Sequence, residues 1–357
     1  YLHSFQHGTM LDSVGMGCAG LPVDAAREKV RAALIASGDA ARYYELTGPA
    51  RSRWLTDCTV KIVEDQWFLK YDDEAWTART REALGAMTLF PRKVRAQFEH
   101  VLGWLRDWAC AREQGLGTRL PWDQKWVIES LSDSTIYMAY YTVAHHVNSL
   151  PAAKLGEELF EALFGDGDPA TVPGVDAKQV AEWRAEFEYW YPYDLRVSGK
   201  DLIQNHLSFS PFNHTAIFSR EKWPRGFAVN GWVLVDGEKM SKSRGNMVNP
   251  WDHFDREGAD AVRWYMVTAG APWAELRFDP QGLRETFARF FLTLWNTYRF
   301  HADYAALDDF DPAAEPPPLA PLDRWALSRL SAVVEEYTAL FEQWRFHRAA
   351  RLLEEFV

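Results

Sequence analysis

Cysteine is scarce in this sequence of 357 residues, and its distribution excludes two common structural devices. Cys18, Cys58 and Cys110 form no Cys-x-x-Cys pair and are odd in number, so they provide neither a disulfide framework nor a four-cysteine zinc site. Apolar runs of membrane-spanning length are also missing, and the first residues lack the pattern of a signal peptide. We therefore expect a soluble, cytoplasmic protein without a membrane partner or a resident metal.

The sequence also lacks an excess of basic residues. Its 39 Lys and Arg against 50 Asp and Glu give a net charge of −11, so any contact with nucleic acid must be local. Hydrophobic residues make up 47% and aromatic residues 15%, which excludes a disordered chain. The length predicts two or three domains. Because the chain begins without Met and ends within a helical pattern, we expect it to be a piece of a longer protein.

Mixed helix and strand patterns extend to about residue 250. Residues 21–38 have helical apolar spacing, with Asp24 predicted as N-cap and Gly38 as the stop. Residues 59–71 are rich in β-branched and aromatic side chains and predict a strand. Residues 228–237 predict a strand, a turn and a second strand. This alternation indicates an α/β fold.

After Gly258 the pattern becomes helical, and no further strands are predicted. Residues 308–323 are acidic and rich in proline, which predicts an exposed linker. A helical stripe resumes after the linker and predicts the start of a bundle. Before the linker, one face of a long helix is predicted to carry Leu283, Phe287, Phe291, Leu294 and Tyr298.

The chemistry-bearing residues are concentrated in residues 236–246. Lys239, Lys242 and Arg244 lie within six residues, interleaved with serines, in a loop that follows an apolar strand. Cations and hydroxyl donors in such a loop suit a polyphosphate, because they stabilise charge that develops on phosphate oxygens. The alternative interpretation of this loop is a solvent-exposed basic turn, which is what most Lys-rich turns are.

The string Lys-Met-Ser-Lys-Ser at 239–243 resembles the signature loop of the class I aminoacyl-tRNA synthetases. Upstream, residues 197–206 resemble the segment in which these enzymes hold the ribose of ATP with a Gly-x-acid pattern, here Gly199 and Asp201. A carboxylate accepts hydrogen bonds from both ribose hydroxyls, which explains an acid at this position. The alternative for Asp201 is a helix-capping role.

Within this class the closest resemblance is to the leucyl-tRNA synthetases of archaeal and eukaryotic type. Residues 107–123 resemble the return to the catalytic fold after the inserted editing domain, and residues 128–146 resemble the leucyl enzymes closely. Residues 249–265 and 289–305 are instead similar to isoleucyl-tRNA synthetases. Leucine is therefore the favoured amino acid, with isoleucine and valine as alternatives.

The resemblance implies an α/β fold with part of a Rossmann-like catalytic core, followed by an α-helical stem-contact and anticodon-binding bundle. The implied boundaries are the end of the inserted connective or editing region with the return to the core at 1–100, the C-terminal half of the catalytic domain at 101–250, the stem-contact region at 251–310, the linker at 311–323 and the start of the anticodon-binding domain at 324–357.

The resemblance also implies substrates and site residues. ATP with Mg²⁺, leucine and tRNA are the expected ligands, in a reaction that forms leucyl-adenylate and then leucyl-tRNA. The implied catalytic residues are Lys239, Lys242 and Ser243. ATP would contact Gly199, Asp201, Gly231, Met240 and Lys242. The amino acid would contact Ser134, Tyr137 and His206. Local tRNA contacts are predicted from Arg284, Arg289 and Arg299, or from Arg324, Arg329, Arg345, Arg348 and Arg351.

One family signature is missing: none of the ten histidines forms His-x-Gly-His. Three explanations stay open. The chain is an incomplete piece of a synthetase, a subunit whose partner chain or segment carries the missing half, or a paralogue with another role. A competing hypothesis is a tRNA-binding scaffold without nucleotide chemistry. Retention of the whole 239–243 motif favours the enzyme.

Overall fold

The computed structural model describes residues 8–11, 16–52, 55–241, 245–315 and 317–357. They divide into two compact units, residues 1–66 and residues 67–357. The strands are β1 (Phe68–Leu69), β2 (Thr88–Phe90), β3 (Trp108–Ala109), β4 (Ala111–Arg112), β5 (Val127–Ile128), β6 (Arg196–Gly199), β7 (Gly226–Asn230), β8 (Val233–Val235), β9 (Glu238–Lys239) and β10 (Leu276–Arg277).

The helices alternate with the strands in the middle of the chain and dominate its end. They are α1 (Val23–Ser37), α2 (Glu74–Ala86), α3 (Arg95–Trp104), α4 (Ser130–Asp133), α5 (Tyr137–Tyr141), α6 (Ala144–Val147), α7 (Glu157–Phe164), α8 (Ala177–Trp190), α9 (His206–Ile217), α10 (Pro250–Glu257), α11 (Ala259–Thr268), α12 (Pro280–Thr286), α13 (Thr293–Leu307), α14 (Pro321–Glu342) and α15 (Phe346–Phe356).

The first unit contains the predicted helix α1, and one detail of its prediction is wrong. Pro22 occupies the N-cap position, so Asp24 lies in the first turn and does not cap the helix. Its carboxylate still lies at the positive end of the helix dipole. Gly38 ends the helix as predicted, with a φ of 79° that glycine adopts without strain.

The strand predicted over residues 59–71 is wrong for most of its length. Only Phe68–Leu69 forms a strand, β1, which pairs antiparallel with β3 in the second unit. Residues 59–66 have no regular structure, and the backbone of Asp65 takes a left-handed turn at φ 57°. High β propensity forms a strand only where a partner strand is present to pair with it.

The central sheet of the second unit is parallel, with strand order β2-β7-β6. Helices α2, α3 and α9 cover one face of it. In a parallel sheet the strands are apolar because packed helices exclude water from them. The buried side chains at this interface include Leu84, Leu89, Phe98, Leu207, Phe227 and Val229.

Residues 228–237 contain two strands, as predicted, but the strands belong to different sheets. β7 lies in the central sheet, whereas β8 pairs with β9 and β10. The chain changes sheet at Gly231, whose backbone N–H donates to the carbonyl of Pro272 at 2.8 Å. A Cβ at Gly231 would overlap the carbonyl of Ala274, so only glycine permits this close approach.

The helical prediction for the region after Gly258 is wrong at three places, one of which is the end of the predicted linker, where helix α14 already begins at Pro321. Strand β10 lies parallel to β8, so strands do not stop at residue 258. The predicted long helix is α12, a π-helical segment (Phe287–Leu292) and α13 in sequence. Phe290 of the π segment stacks on Trp264 with ring centroids 4.3 Å apart. None of the helices within the described ranges is long and apolar enough to span a membrane.

Helix α9 is buried along most of its length and contains a buried histidine, His214. Its Nδ1 donates to the carbonyl of Ser210 at 2.7 Å, which leaves Nε2 to accept a hydrogen bond from the Tyr191 hydroxyl. Both nitrogens of the neutral ring are therefore satisfied. Burial lowers the pKa of His214 to about 4, because a charged imidazolium loses its hydration there.

We expect the free energy of unfolding to fall as the pH falls from about 6.5 to about 4. In this range the unfolded chain protonates His214 while the folded chain does not. The loss for this group is about 1.4 kcal/mol per pH unit at most. Urea unfolding at several pH values measures it. The His214→Gln variant should have a shallower pH slope and the exposed-site control His100→Gln the wild-type slope; equal slopes in all three would contradict the assignment.

Candidate nucleotide and amino-acid site

The turn after β6 holds the predicted Gly-x-acid pattern at the edge of the central sheet. Gly199 is the last residue of β6 and pairs with Asn230 of β7. The chain then forms a single 3₁₀ turn over Lys200–Leu202, and Asp201 is exposed on it. An exposed carboxylate at the carboxyl end of a parallel strand is well placed to accept hydrogen bonds from a ligand.

Trp232 connects this turn with the strand that leads into the predicted phosphate loop. Its ring lies 4.2 Å from the Nζ of Lys239 and 5.6 Å from the Nζ of Lys200, measured to the ring centroid. Lys200 also pairs with Glu275 at 3.2 Å. The indole attracts both ammonium groups through its negative face. Two cations are thereby held on one aromatic side chain, next to the Asp201 turn.

Asn246 fixes both sides of the predicted phosphate loop. Its Oδ1 accepts from the backbone N–H of Ser241 at 2.8 Å, and its Nδ2 donates to the carbonyl of Lys239 at 3.2 Å. Met240 is half-buried between these two contacts. Lys242 and Ser243, two of the predicted catalytic residues, lie outside the described residues together with Arg244. The two ends of the loop are therefore set by one amide side chain.

The three residues predicted to contact the amino acid lie together, and Arg196 connects them. The Oγ of Ser134 lies 3.3 Å from the Nδ1 of His206. Arg196 of β6 donates to the hydroxyl of Tyr137 at 3.0 Å, and its guanidinium lies 5.5 Å from the centre of the same ring. Burial, and to a lesser extent the charge of Arg196, lower the pKa of His206 to about 4. His206 is therefore neutral at pH 7.

Two buried nitrogens in this group lack a hydrogen-bond partner among the described residues. They are Nε2 of His206 and Nε of Arg196. A buried polar atom is normally satisfied by protein, water or ligand, since leaving it unpaired costs about 1–3 kcal/mol. The other ring nitrogen of His206 contacts Ser134, and the terminal guanidinium nitrogen of Arg196 contacts Tyr137. This cluster of side chains therefore offers hydrogen bonds that a polar ligand group or ordered water would take.

Arg196 and Trp232 are the site residues that the sequence did not reveal. Arg196 is the first residue of β6, which ends at Gly199 of the Gly-x-acid pattern, and no local sequence signal marks it as a site residue. Trp232 follows Asn-Gly, and the sequence indicates only another aromatic residue of a strand at this position. Ser134 and Tyr137 lie on either side of the break between α4 and α5.

The predicted ATP contact at Gly231 has an independent structural reason, namely the approach of the Pro272–Ala274 backbone. A role in ATP binding stays a prediction for this residue.

Residues 175–290 match the family model described as tRNA synthetases class I (M). The match spans β6, the Asp201 turn, Trp232 and the 239–243 motif. This region of the chain is similar to the class I aminoacyl-tRNA synthetases. The similarity to this class predicted from the 239–243 motif is therefore confirmed.

Curated synthetase relatives match nearly the whole chain. It is 43% identical to the leucine–tRNA ligase of Methanopyrus kandleri over 92% of this chain and 34% of that protein. It is 44% identical to the leucine–tRNA ligase of Aeropyrum pernix over 98% of this chain and 36% of that protein. The chain thus spans about a third of the length of these relatives.

A solved synthetase structure supports the fold. Mycobacterium tuberculosis methionyl-tRNA synthetase in complex with methionyl-adenylate aligns with a TM-score of 0.60 and 19% identity, covering 82% of this chain and 50% of that one. The predicted fold class, a partial Rossmann-like synthetase core followed by helices, is confirmed.

Replacing Arg196 with Gln should raise the pKa of His206 from about 4, because the nearby positive charge is removed. The value should stay below the ordinary 6.5, since burial is the larger cause of the shift. Titration of the imidazole C–H signals by NMR measures this, with His206→Gln to assign the signal. Arg225→Gln, which removes an exposed arginine paired with Asp194, is the control. An unchanged His206 titration in Arg196→Gln would contradict the electrostatic contact.

Proposed function

We propose that this chain carries the nucleotide-binding half of a leucine–tRNA ligase, which joins leucine to its tRNA through leucyl-adenylate. The observation that carries the proposal is the pair of cations, Lys200 and Lys239, held on Trp232 beside the Asp201 turn. This arrangement suits a nucleoside triphosphate, because it offers an acid for the ribose and cations for the phosphates. The identity to leucine–tRNA ligases supports leucine as the amino acid.

In the first reaction step, the carboxylate of leucine attacks the α-phosphorus of ATP, and pyrophosphate leaves. Lys239 and Lys242 neutralise the charge that develops on the phosphate oxygens. Ser243 and the backbone near Met240 hold the nucleotide, while Asp201 accepts from its ribose and Gly199 lies beside it. Mg²⁺ neutralises the ATP phosphates and is bound mainly by substrate and water. A terminal ribose hydroxyl of tRNA then attacks the activated carbonyl and releases AMP.

The side chains around Arg196 select the amino acid in this proposal. Ser134, Tyr137 and the two unpaired nitrogens offer hydrogen bonds to the polar end of leucine. Because His206 is neutral at pH 7, it does not repel the leucine ammonium. Isoleucine and valine present the same polar end and differ only in side-chain shape, so they are the competing substrates.

A second segment or chain with the His-x-Gly-His signature would complete this site. Strand β6 pairs with β7 on one side, and no strand of the described residues pairs with its other edge. A cavity of about 1590 Å³ extends from Val197 and Asn230 to the loop between α14 and α15. An open strand edge beside an open cavity is suited to a further strand and its helices.

The tRNA is proposed to contact arginines that are not engaged within the chain. Of the predicted set, Arg351 donates to the carbonyl of Thr268 at 2.9 Å, and Arg299 pairs with Asp303 at 3.6 Å. Arg345 and Arg348 have no side-chain hydrogen bond or ion pair among the described residues, so they are the favoured phosphate contacts. We propose the cytoplasm as the location of this chemistry.

The Lys242→Ala variant tests the catalytic assignment in the complete protein. The rate of ATP–pyrophosphate exchange should fall by at least tenfold, because a cation that stabilises the transition state is removed. Leucine binding should stay close to that of the wild type. Lys178→Ala, at an exposed position on α8, is the matched control.

An unchanged exchange rate in Lys242→Ala would refute the role of that lysine. Exchange measured with leucine, isoleucine and valine in turn identifies the substrate, and we expect leucine to give the highest rate. If ATP does not bind in a thermal-shift assay and does not exchange with pyrophosphate, the hypothesis of a tRNA-binding scaffold replaces the hypothesis of an enzyme.

A further inference from the structure

A cluster of two histidines and a glutamate lies between helices α6 and α8, outside the site described above. His145 and His146 belong to α6, and Glu186 belongs to α8. The Nε2 of His146 lies 2.7 Å from one carboxylate oxygen of Glu186, and the Nε2 of His145 lies 3.4 Å from the other. One potential ligand atom from each of the three side chains lies within 4.8 Å of the others.

These separations are close to those of a zinc site. With bonds of about 2.0–2.1 Å to nitrogen and oxygen, the ligand atoms of a tetrahedral site lie about 3.3 Å apart. The Nε2 of His145 lies 3.4 Å from Oε1 of Glu186, and the Nε2 of His146 lies 2.7 Å from Oε2 of the same carboxylate. For Oε2 to become the zinc ligand, it would separate from the Nε2 of His146 by roughly 0.6 Å. His145 is half-exposed, so solvent reaches the cluster and a water can complete the coordination.

The surroundings hold two of the three ligands in place. The ring of His146 stacks on Trp183 with centroids 5.2 Å apart, and the ring of His145 lies against it, tilted by 41°, with centroids 3.8 Å apart. Ser149 donates to the backbone carbonyl of His146 at 2.6 Å and fixes the end of α6. Both histidines therefore present the same ring edge to α8.

The charge of the cluster also suits a divalent cation. Arg184, on the same helix, donates to Glu188 at 3.0 Å, and Lys222 pairs with Glu188 at 3.8 Å. Among the described ion pairs, the partners of Glu186 are the two histidines. Neutral imidazoles and one carboxylate form the His₂Glu donor set that zinc accepts, with the fourth position open.

We propose that His145, His146 and Glu186 bind one Zn²⁺ ion, which links α6 to α8. The helices α5 and α6 follow one another directly, and α5 carries Tyr137. The ion therefore stabilises the contact between α6 and α8, next to the residues predicted to contact the amino acid. This site is separate from the nucleotide chemistry, so its presence does not depend on the proposed reaction.

Zinc titration of the chelator-treated full-length protein tests the site. A chromophoric chelator in competition reports the affinity for Zn²⁺, and thermal unfolding reports the stabilisation. We expect one Zn²⁺ per chain and a higher melting temperature with the ion, because it binds the folded state. His145→Gln, His146→Gln and Glu186→Gln should each weaken binding by about tenfold or more and abolish the thermal shift.

The exposed-site variant His100→Gln is the control and should bind like the wild type. His145→Gln is the decisive variant, because its half-exposed side chain is removed without disturbing the core. Absence of stoichiometric binding would overturn the site. Equal affinity in the wild type and His145→Gln would overturn it as well, since the ion would then be bound elsewhere.

Discussion

The parallel pairing of β6 with β7 is the constraint on which the candidate nucleotide site depends. Its register sets Gly199 opposite Asn230, so the Asp201 turn leaves the sheet beside the point where the chain passes through Gly231 to Trp232. A one-residue shift in the pairing would move each side chain to the opposite face of the sheet. The apolar packing of β7, which fixes the register, therefore also fixes the positions of the site residues. The two lysines on Trp232 follow from this register.

Helix α9 supplies the corresponding constraint for the amino-acid pocket. Its first residue is His206, and farther along Asn213 donates to the hydroxyl of Thr135 at 2.6 Å. This buried hydrogen bond holds the segment between Ser134 and Tyr137 against the helix. The same helix packs Leu207 against the central sheet. Hydrophobic burial and this buried hydrogen bond together fix the positions of Ser134, Tyr137 and His206.

The sequence predicted the structure correctly where the residues that determine it are adjacent in the chain. The glycine stop of α1 was read correctly because it is specified by adjacent residues. The strand predicted at 59–71 failed because pairing, which is non-local, decides whether a β-prone segment becomes a strand. Arg196 escaped notice for the same reason: its partners, Tyr137 and His206, are brought to it only by the fold.

The central claim is that one ATP molecule reaches from the Asp201 turn to the loop that begins at Lys239. Equilibrium binding of ATP and AMP to the variants Asp201→Asn and Lys239→Met tests it most directly. If the claim holds, Asp201→Asn weakens both nucleotides similarly, since both carry the ribose, whereas Lys239→Met weakens ATP and leaves AMP unchanged. Unaltered ATP affinity in either variant, or equal weakening of AMP and ATP by Lys239→Met, would contradict it.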